Sequence, residues 1–324
     1  MAISAFIITI DTEGDNLWQN HGRITTENAR FLPRFQALCE KHHFKPVYLT
    51  NYEMAMDDAF VDFARDAIAR GSAEVGMHLH AWNSPPDHDL TGNDGRHKPY
   101  LIEYPEAVMW EKILFMTQLL EDTFQIKMLS HRAGRWAFNE RYAAMLLKLG
   151  YQVDCSVTPQ VDWRRSLGAP SGAGGSNYRH FPNRAYFIDP EDISRPGASW
   201  LLEVPMTTAY KHALWVNAVS QVYDRLRGKW RSPSVQWLRP AGGNAAQMCQ
   251  VAAQSLAAGS DYVEFMLHSS EFMPSGSPTF KDKAAIERLY HDLDMLFDRL
   301  QNRVTGMTLA QYYQHCVGQT GTSA

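Results

Sequence analysis

Seven residues able to carry chemistry sit where apolar runs of this sequence end. They are Asp11 and Glu13 in "FIITIDTEGD", His78 and His80 in "EVGMHLH", Arg132 in "SHRAGRW", Asp154 in "QVDCSV" and His268 in "EFMLHSSEF". Apolar runs lie inside proteins, where an unpaired charge is costly, so five runs ending in this way call for a common cause. Side chains two apart on a strand share a face; Asp11 and Glu13 should therefore point one way, and His78 and His80 likewise. Two imidazoles and a carboxylate can converge on one metal ion and leave a position open for water, as in a catalytic zinc site. The same set also suits non-haem iron. Only one acid is needed as a ligand, which leaves the other as a general base. Arg132 carries a fixed charge that can hold a carboxylate ionised and oriented, a surface arginine being the alternative. His268 is positioned as a general acid, and Asp154 as the group that holds its imidazole in one tautomer, unless Asp154 is a structural cap. Asp15 reads as a turn or capping residue.

The elements that must position these groups alternate. Strands are predicted at "SAFIITI", "KPVYLT", "AEVGMHLH", "IKMLSHR", "YQVDCSV", "WLLEVPMT" and "DYVEFMLHSSEF". Between them lie amphipathic stretches: "TTENARFLPRFQALCEKHH" with Thr25 or Thr26 as N-cap, "DDAFVDFARDAIARG", "YPEAVMWEKILFMTQLLEDTF" and "NERYAAMLLKLG". Further helices are predicted over 213–227, 245–258 and 281–302. This alternation argues for βαβ units and a parallel sheet. Six or seven strands fit a closed or nearly closed α/β barrel, in which the C-terminal strand ends build the active site. A doubly wound sheet is the rival, but no Gly-x-Gly-x-x-Gly follows the first strand. The stretch 158–199 is long and irregular, and its Trp163, Tyr178 and Phe181 suit a binding loop better than a linker. No domain boundary is visible, so residues 1–324 are read as one domain carrying this irregular insertion.

With 324 residues, 45% hydrophobic and 20% charged, the chain has ample material for a core. A net charge of -4 offers no footprint for nucleic acid. No run approaches the length of a membrane span, and "MAISAFIITID" does not read as a signal peptide, so a cytoplasmic location is expected. Cys39, Cys155, Cys249 and Cys316 are widely spaced, which excludes Cys-x-x-Cys metal and redox signatures.

Taken in order, "TIDTEGD", "EVGMHLH", "HRAGRWAFN", "GYQVDCSVTP" and "MLHSSEF" resemble the motifs of the polysaccharide deacetylase (NodB-homology) family of metal-dependent carbohydrate esterases. The resemblance runs from about Ser4 to Phe272 and implies a distorted (β/α)7 barrel. By that resemblance Asp11 is the catalytic base, Arg132 the residue that holds it, and His268 the catalytic acid. The family's metal-binding second Asp falls on Thr12, which shifts that duty to Glu13. His78 matches the first metal histidine. The second would fall on Trp82, so His80 takes its place. The implied cofactor is Zn2+ or another divalent metal. The implied reaction is hydrolysis of an N-acyl (or O-acyl) group on a sugar, in a divergent cytoplasmic branch that acts on a lipid- or nucleotide-linked precursor of surface polysaccharide. Trp82, Trp136 and Trp163 are candidate platforms for sugar rings, and Arg239 a candidate contact for an anionic part of the substrate. A cyclic-imide or other amide hydrolase on the same barrel, a non-haem iron enzyme and a sugar-binding protein without activity are the alternatives.

Overall fold

The computed structural model describes residues 4–19, 23–211 and 235–320. The helix predicted over 213–227 lies outside the described residues. The strands are β1 (Ser4–Thr12), β2 (Pro46–Thr50), β3 (Glu74–Leu79), β4 (Ser130–Ala133), β5 (Val153–Asp154), β6 (Tyr186–Asp189), β7 (Asp192–Pro196), β8 (Leu202–Glu203), β9 (Thr208–Tyr210), β10 (Val235–Trp237), β11 (Tyr262–His268) and β12 (Val304–Gly306). Seven of them pair in parallel in the order β11-β1-β2-β3-β4-β5-β8, the expected barrel. β12 pairs with the start of β1.

The seam between β8 and β11 is bridged without a ladder. Glu264 N donates to Thr207 Oγ1 (2.8 Å), and Tyr262 Oη donates to the Pro205 carbonyl (2.7 Å). β8 turns its other edge to β6, which forms an antiparallel hairpin with β7. Part of the stretch expected to be irregular is therefore a β-hairpin; 158–181 is irregular as expected, apart from an isolated bridge between Asp162 and Asn177.

β1 shows why the barrel strands read as continuous apolar runs: both faces are covered. Phe6, Ile8 and Ile10 point outward into the layer of helices, against groups such as Phe35 and Phe297. Ala5 and Ile7 point inward with Val47, Leu49, Val153, Cys155 and Val204. The closing helix Leu309–Thr320 plugs the lower end of this inner core through Leu309, Tyr312 and Tyr313. That helix and β12 were not anticipated from the sequence.

Local chemistry sets the helix boundaries. Asp57, Asn139 and Asp282 each accept the third backbone N–H of the helix they precede. Thr26 does not cap its helix; its hydroxyl donates to Asp57 (2.6 Å). The first-turn N–H groups of Glu27 and Asn28 instead reach the Asp15 carboxylate at 2.9 and 3.0 Å. The late strand also stops earlier than expected, at His268. Residues Ser269–Phe272 form a 3-10 turn because Glu271 reaches back to the His268 N–H (3.0 Å).

Candidate active site

The inward face of the barrel changes character along its axis: apolar at the base, polar in the middle, open at the top. Thr9, Arg132 and Glu264 form the middle layer. The buried Arg132 guanidinium reaches Thr9 Oγ1 (2.8 Å), the Cys155 carbonyl (3.1 Å) and a carboxylate oxygen of Glu264. Its Nη1 reaches upward to Oδ1 of Asp11 at 2.5 Å. Arg132 is thus a buried hub and not a surface arginine.

One step higher, Glu13, His78 and His80 come together, with one ligand atom from each lying within 4.8 Å of the others. Glu13 Oε2 is 2.8 Å from His80 Nε2 and 3.6 Å from His78 Nε2. The two Nε2 atoms are 3.2 Å apart. His78 donates Nδ1–H to the Arg132 carbonyl (2.9 Å), which turns the Nε2 lone pair toward the cluster. Such an outer bond fixes the tautomer of a metal-binding histidine. Two lone-pair nitrogens and a carboxylate facing one point form a donor set that fits a divalent metal.

Gly134 makes room for this arrangement. A Cβ there would lie 2.3 Å from the Leu79 carbonyl oxygen and 2.7 Å from His80 Nδ1. Ser269 braces the Glu13 backbone in both directions: Glu13 N donates to Ser269 Oγ, and Ser269 Oγ donates to Glu13 O, each at 3.1 Å. Thr12 faces away, its hydroxyl bonded to the Ile10 carbonyl (3.0 Å), so it takes no part.

The electrostatics follow from this packing. Burial pushes the Asp11 carboxyl up, but Arg132, His78 and His268 together outweigh it and hold the group below its usual range. Burial likewise opposes Glu13, yet His268, His78 and His80 around it hold it well below that range. Glu264, sealed beneath the site, goes the other way: burial outweighs Arg132 and raises it to about 7.

His268 stands beside both acids, on the strand next to β1. Its Nε2 lies 3.8 Å from Asp11 Oδ2 and 3.9 Å from Glu13 Oε1. Its Nδ1 meets Glu271 Oε2 at 3.1 Å, and Arg239 pairs with the same oxygen at 2.8 Å. Glu271, not Asp154, therefore orients His268. Asp154 bonds His131 Nδ1 (2.6 Å) and Ser156. In the sheet register Asp154 stands beside His131 and Glu203, while its neighbours Val153 and Cys155 face the barrel interior. Strand alternation thus points Asp154 away from the site, and its assignment to His268 is corrected.

A cavity of about 480 Å³ stands over these groups. Trp82, Trp136, Trp163 and Arg239 all line it. Trp136 also lies over the Arg132 guanidinium, 4.8 Å from ring centre to Cζ. Several lining groups were missed from the sequence. Trp18 meets the His268 ring edge-on at 4.6 Å between centroids, and Arg96, Lys98, Tyr100 and Arg135 form another wall. Three of these lie in or next to the polar loop "NSPPDHDLTGNDGRHKP", which has no periodicity to reveal its direction.

No family profile and no curated protein matches the sequence. Solved structures do match. A chain from Parabacteroides distasonis assigned as a glycoside hydrolase or deacetylase superposes with a TM-score of 0.63 at 9% identity, over 97% of this chain and 71% of that one. A chain from Mycobacterium smegmatis assigned as a polysaccharide deacetylase gives 0.51 at 13% identity, over 98% and 92%. An allantoinase gives 0.50 at 12% identity, over 96% and 88%. At these identities the likeness speaks for the fold, and the chain has the α/β barrel fold of the polysaccharide deacetylases.

Proposed function

We propose that this protein is a metal-dependent hydrolase that removes an N-acyl (or O-acyl) group from a sugar. The observation that carries this reading is the placement of Asp11, braced by Arg132, and His268, braced by Glu271, beside the Glu13–His78–His80 cluster in one cavity. A divalent ion such as Zn2+ held by that cluster supplies Lewis acidity toward an acyl carbonyl and a more acidic water. Asp11 has one oxygen committed to Arg132, and Oδ2 is left to take the water proton. The water oxygen bonds to the acyl carbon as that proton leaves. His268 passes its Nε2 proton to the departing nitrogen as the C–N bond breaks, and Glu271 steadies the imidazolium through Nδ1. The products are a carboxylate and an amino sugar.

Trp18, Trp82, Trp136 and Trp163 give the cavity apolar faces of the kind that stack on sugar rings. The finer substrate we propose is a lipid- or nucleotide-linked sugar used in cytoplasmic steps of surface-polysaccharide synthesis. The likeness to an allantoinase favours one second reading, in which the same residues open a cyclic ureide.

Metal-replete protein should release acetate from at least one N-acetylated sugar, and Asp11→Asn should abolish the release. Ring opening of allantoin with every sugar inert would shift the assignment to the second reading. Stoichiometric iron with oxygen-dependent turnover would remove the hydrolase reading altogether.

A further inference from the structure

Arg96, Lys98 and Arg135 line the same cavity as the Glu13–His78–His80 cluster, along the wall made by the end of the 83–99 loop and the turn after β4. Among the described residues, Arg135 is held by neutral groups. It donates to the carbonyls of Lys98 and Leu167 and to Ser166 Oγ, and it stacks on the Tyr100 ring with Cζ 4.1 Å from the centroid. Its charge is therefore oriented but not neutralised by any of these contacts. Lys98 donates to the Leu17 carbonyl and lies 5.2 Å from the centre of the Trp82 ring. Arg96 is exposed at the rim.

Three of the eight described non-glycine residues with positive φ lie along this wall. Lys98, Arg135 and Trp136 all sit in the left-handed region, with φ of 51°, 55° and 62°. Non-glycine residues rarely stay there unless the surroundings hold them, and such positions gather at ligand clamps. Here the consecutive pair Arg135–Trp136 turns one cation and one aromatic ring toward the same cavity.

Other charges of the cavity have ionic partners of their own. Asp11 pairs with Arg132, Arg239 with Glu271, and Glu13 with the two histidines. Burial lowers the pKa of Lys98, Glu13 opposes that shift, and the like charge of Arg135 adds to it. Two cations lining one cavity gain from an anion placed near both. Three cations, one a rigid guanidinium fork, suit the two charges and several acceptor oxygens of a phosphate better than a single carboxylate.

We propose that Arg96, Lys98 and Arg135 form a phosphate subsite, so that the substrate is an N-acylated sugar carrying a phosphoester. This rests on the sugar-deacylase reading, and it places the phosphate in the same cavity as the Glu13–His78–His80 cluster. Nucleotide-linked and lipid-linked sugars both present that chemistry.

The test is calorimetric binding to the full chain with Asp11→Asn blocking turnover, using N-acetylglucosamine, its 1-phosphate, the uridine diphosphate sugar and a short-chain prenyl diphosphate sugar. The phosphorylated sugars should bind at least about tenfold more tightly than the neutral one, the scale of one charge-assisted contact. Arg96→Gln and Lys98→Gln should each shrink that ratio while leaving the neutral sugar's affinity in place. Arg135→Lys, which keeps the charge but loses the fork, should shrink it less than Arg135→Gln. Preference between the two diphosphate sugars identifies the source. Equal affinity for neutral and phosphorylated sugars, or a loss in the variants that is the same for both, overturns the subsite. Selective phosphosugar binding without hydrolysis by the unmutated chain would keep the subsite and remove the deacylase reading. Hydrolysis of neutral and phosphorylated sugars at equal affinity would do the reverse.

Discussion

Arg132 Nη1 lies 2.5 Å from Asp11 Oδ1, joining β4 to β1 across the barrel interior past the two strands that separate them in the sheet. The same guanidinium holds Glu264 on β11, so one cation ties three strands together beneath the site. Removing it by Arg132→Gln leaves the buried Asp11 carboxylate without its cation and Glu264 without its donor. Loss of one partner from a buried pair costs about 3–5 kcal/mol. We expect urea denaturation to show a loss of that order, together with loss of turnover. A variant that keeps full stability would mean that Asp11 and Glu264 are neutral in the folded chain.

Asp11→Asn keeps the shape of the pair but removes the base. Acyl hydrolysis should fall by about 10²–10⁴-fold, the range attributed to a positioned general base. Metal content should stay at the unmutated level, because Asp11 is outside the Glu13–His78–His80 set. If metal analysis finds Asp11→Asn depleted, Asp11 is itself a ligand and the base must be sought elsewhere.

Metal binding should be lost one ligand at a time. Glu13→Gln, His78→Gln and His80→Gln are each expected to lower metal stoichiometry after dialysis. Chelation of the unmutated protein should lower its melting temperature, since a ligand that binds only the folded state at 100 times its Kd adds about 2.7 kcal/mol. Affinity should also weaken below neutral pH, where protons compete for the imidazole nitrogens. A melting temperature indifferent to chelator and to added Zn2+ would count against the cluster as a metal site.

Gly134 offers a test of geometry free of any change in charge. A Cβ at this position meets the Leu79 backbone oxygen at 2.3 Å and His80 Nδ1 at 2.7 Å, and the backbone oxygen cannot yield as a flexible side chain would. Gly134→Ala should therefore cost about 1–3 kcal/mol by overpacking. It should also weaken metal binding by displacing His80. Unchanged metal affinity in a folded Gly134→Ala protein would show that His80 is not held by this contact.

Much of this site was legible because a strand has a period of two. Asp11 with Glu13, and His78 with His80, share a face for that reason, and Thr12 points outward for the same reason. Asp154 was misassigned because its partner depends on register between strands: His131 on β4 stands beside Asp154 on β5. The clue was in the alternation itself, since His131 and Arg132 are adjacent and must face opposite sides. Glu264 carried a readable signal too, lying four residues before His268 on one strand. Arg96 and Lys98 carried none, because the single helical turn Asp94–His97, capped by Lys98, is too short to show a period. Asp15 is resolved as the cap of residues 27 and 28, a role that only the returning chain reveals.

Glu264 sets the expected dependence of stability on pH. Burial raises its carboxyl from an ordinary value of 4.5 to about 7, with Arg132 opposing. Between those values the folded chain keeps a proton that the unfolded chain has released, so stability falls as pH rises through that window. The shift spans roughly 2.5 pH units, which sets a ceiling of about 3 kcal/mol at 1.36 kcal/mol per unit. Asp11 and Glu13, held low, act in the opposite sense, but below the window. Glu264→Gln mimics the protonated acid and should flatten the fall. Urea denaturation of metal-free protein at pH 5, 6, 7 and 8 measures the slope for both chains. Histidine contributions are common to the two, so only the difference between slopes matters. Parallel slopes would show that Glu264 is ionised throughout and that Arg132 serves two full carboxylates.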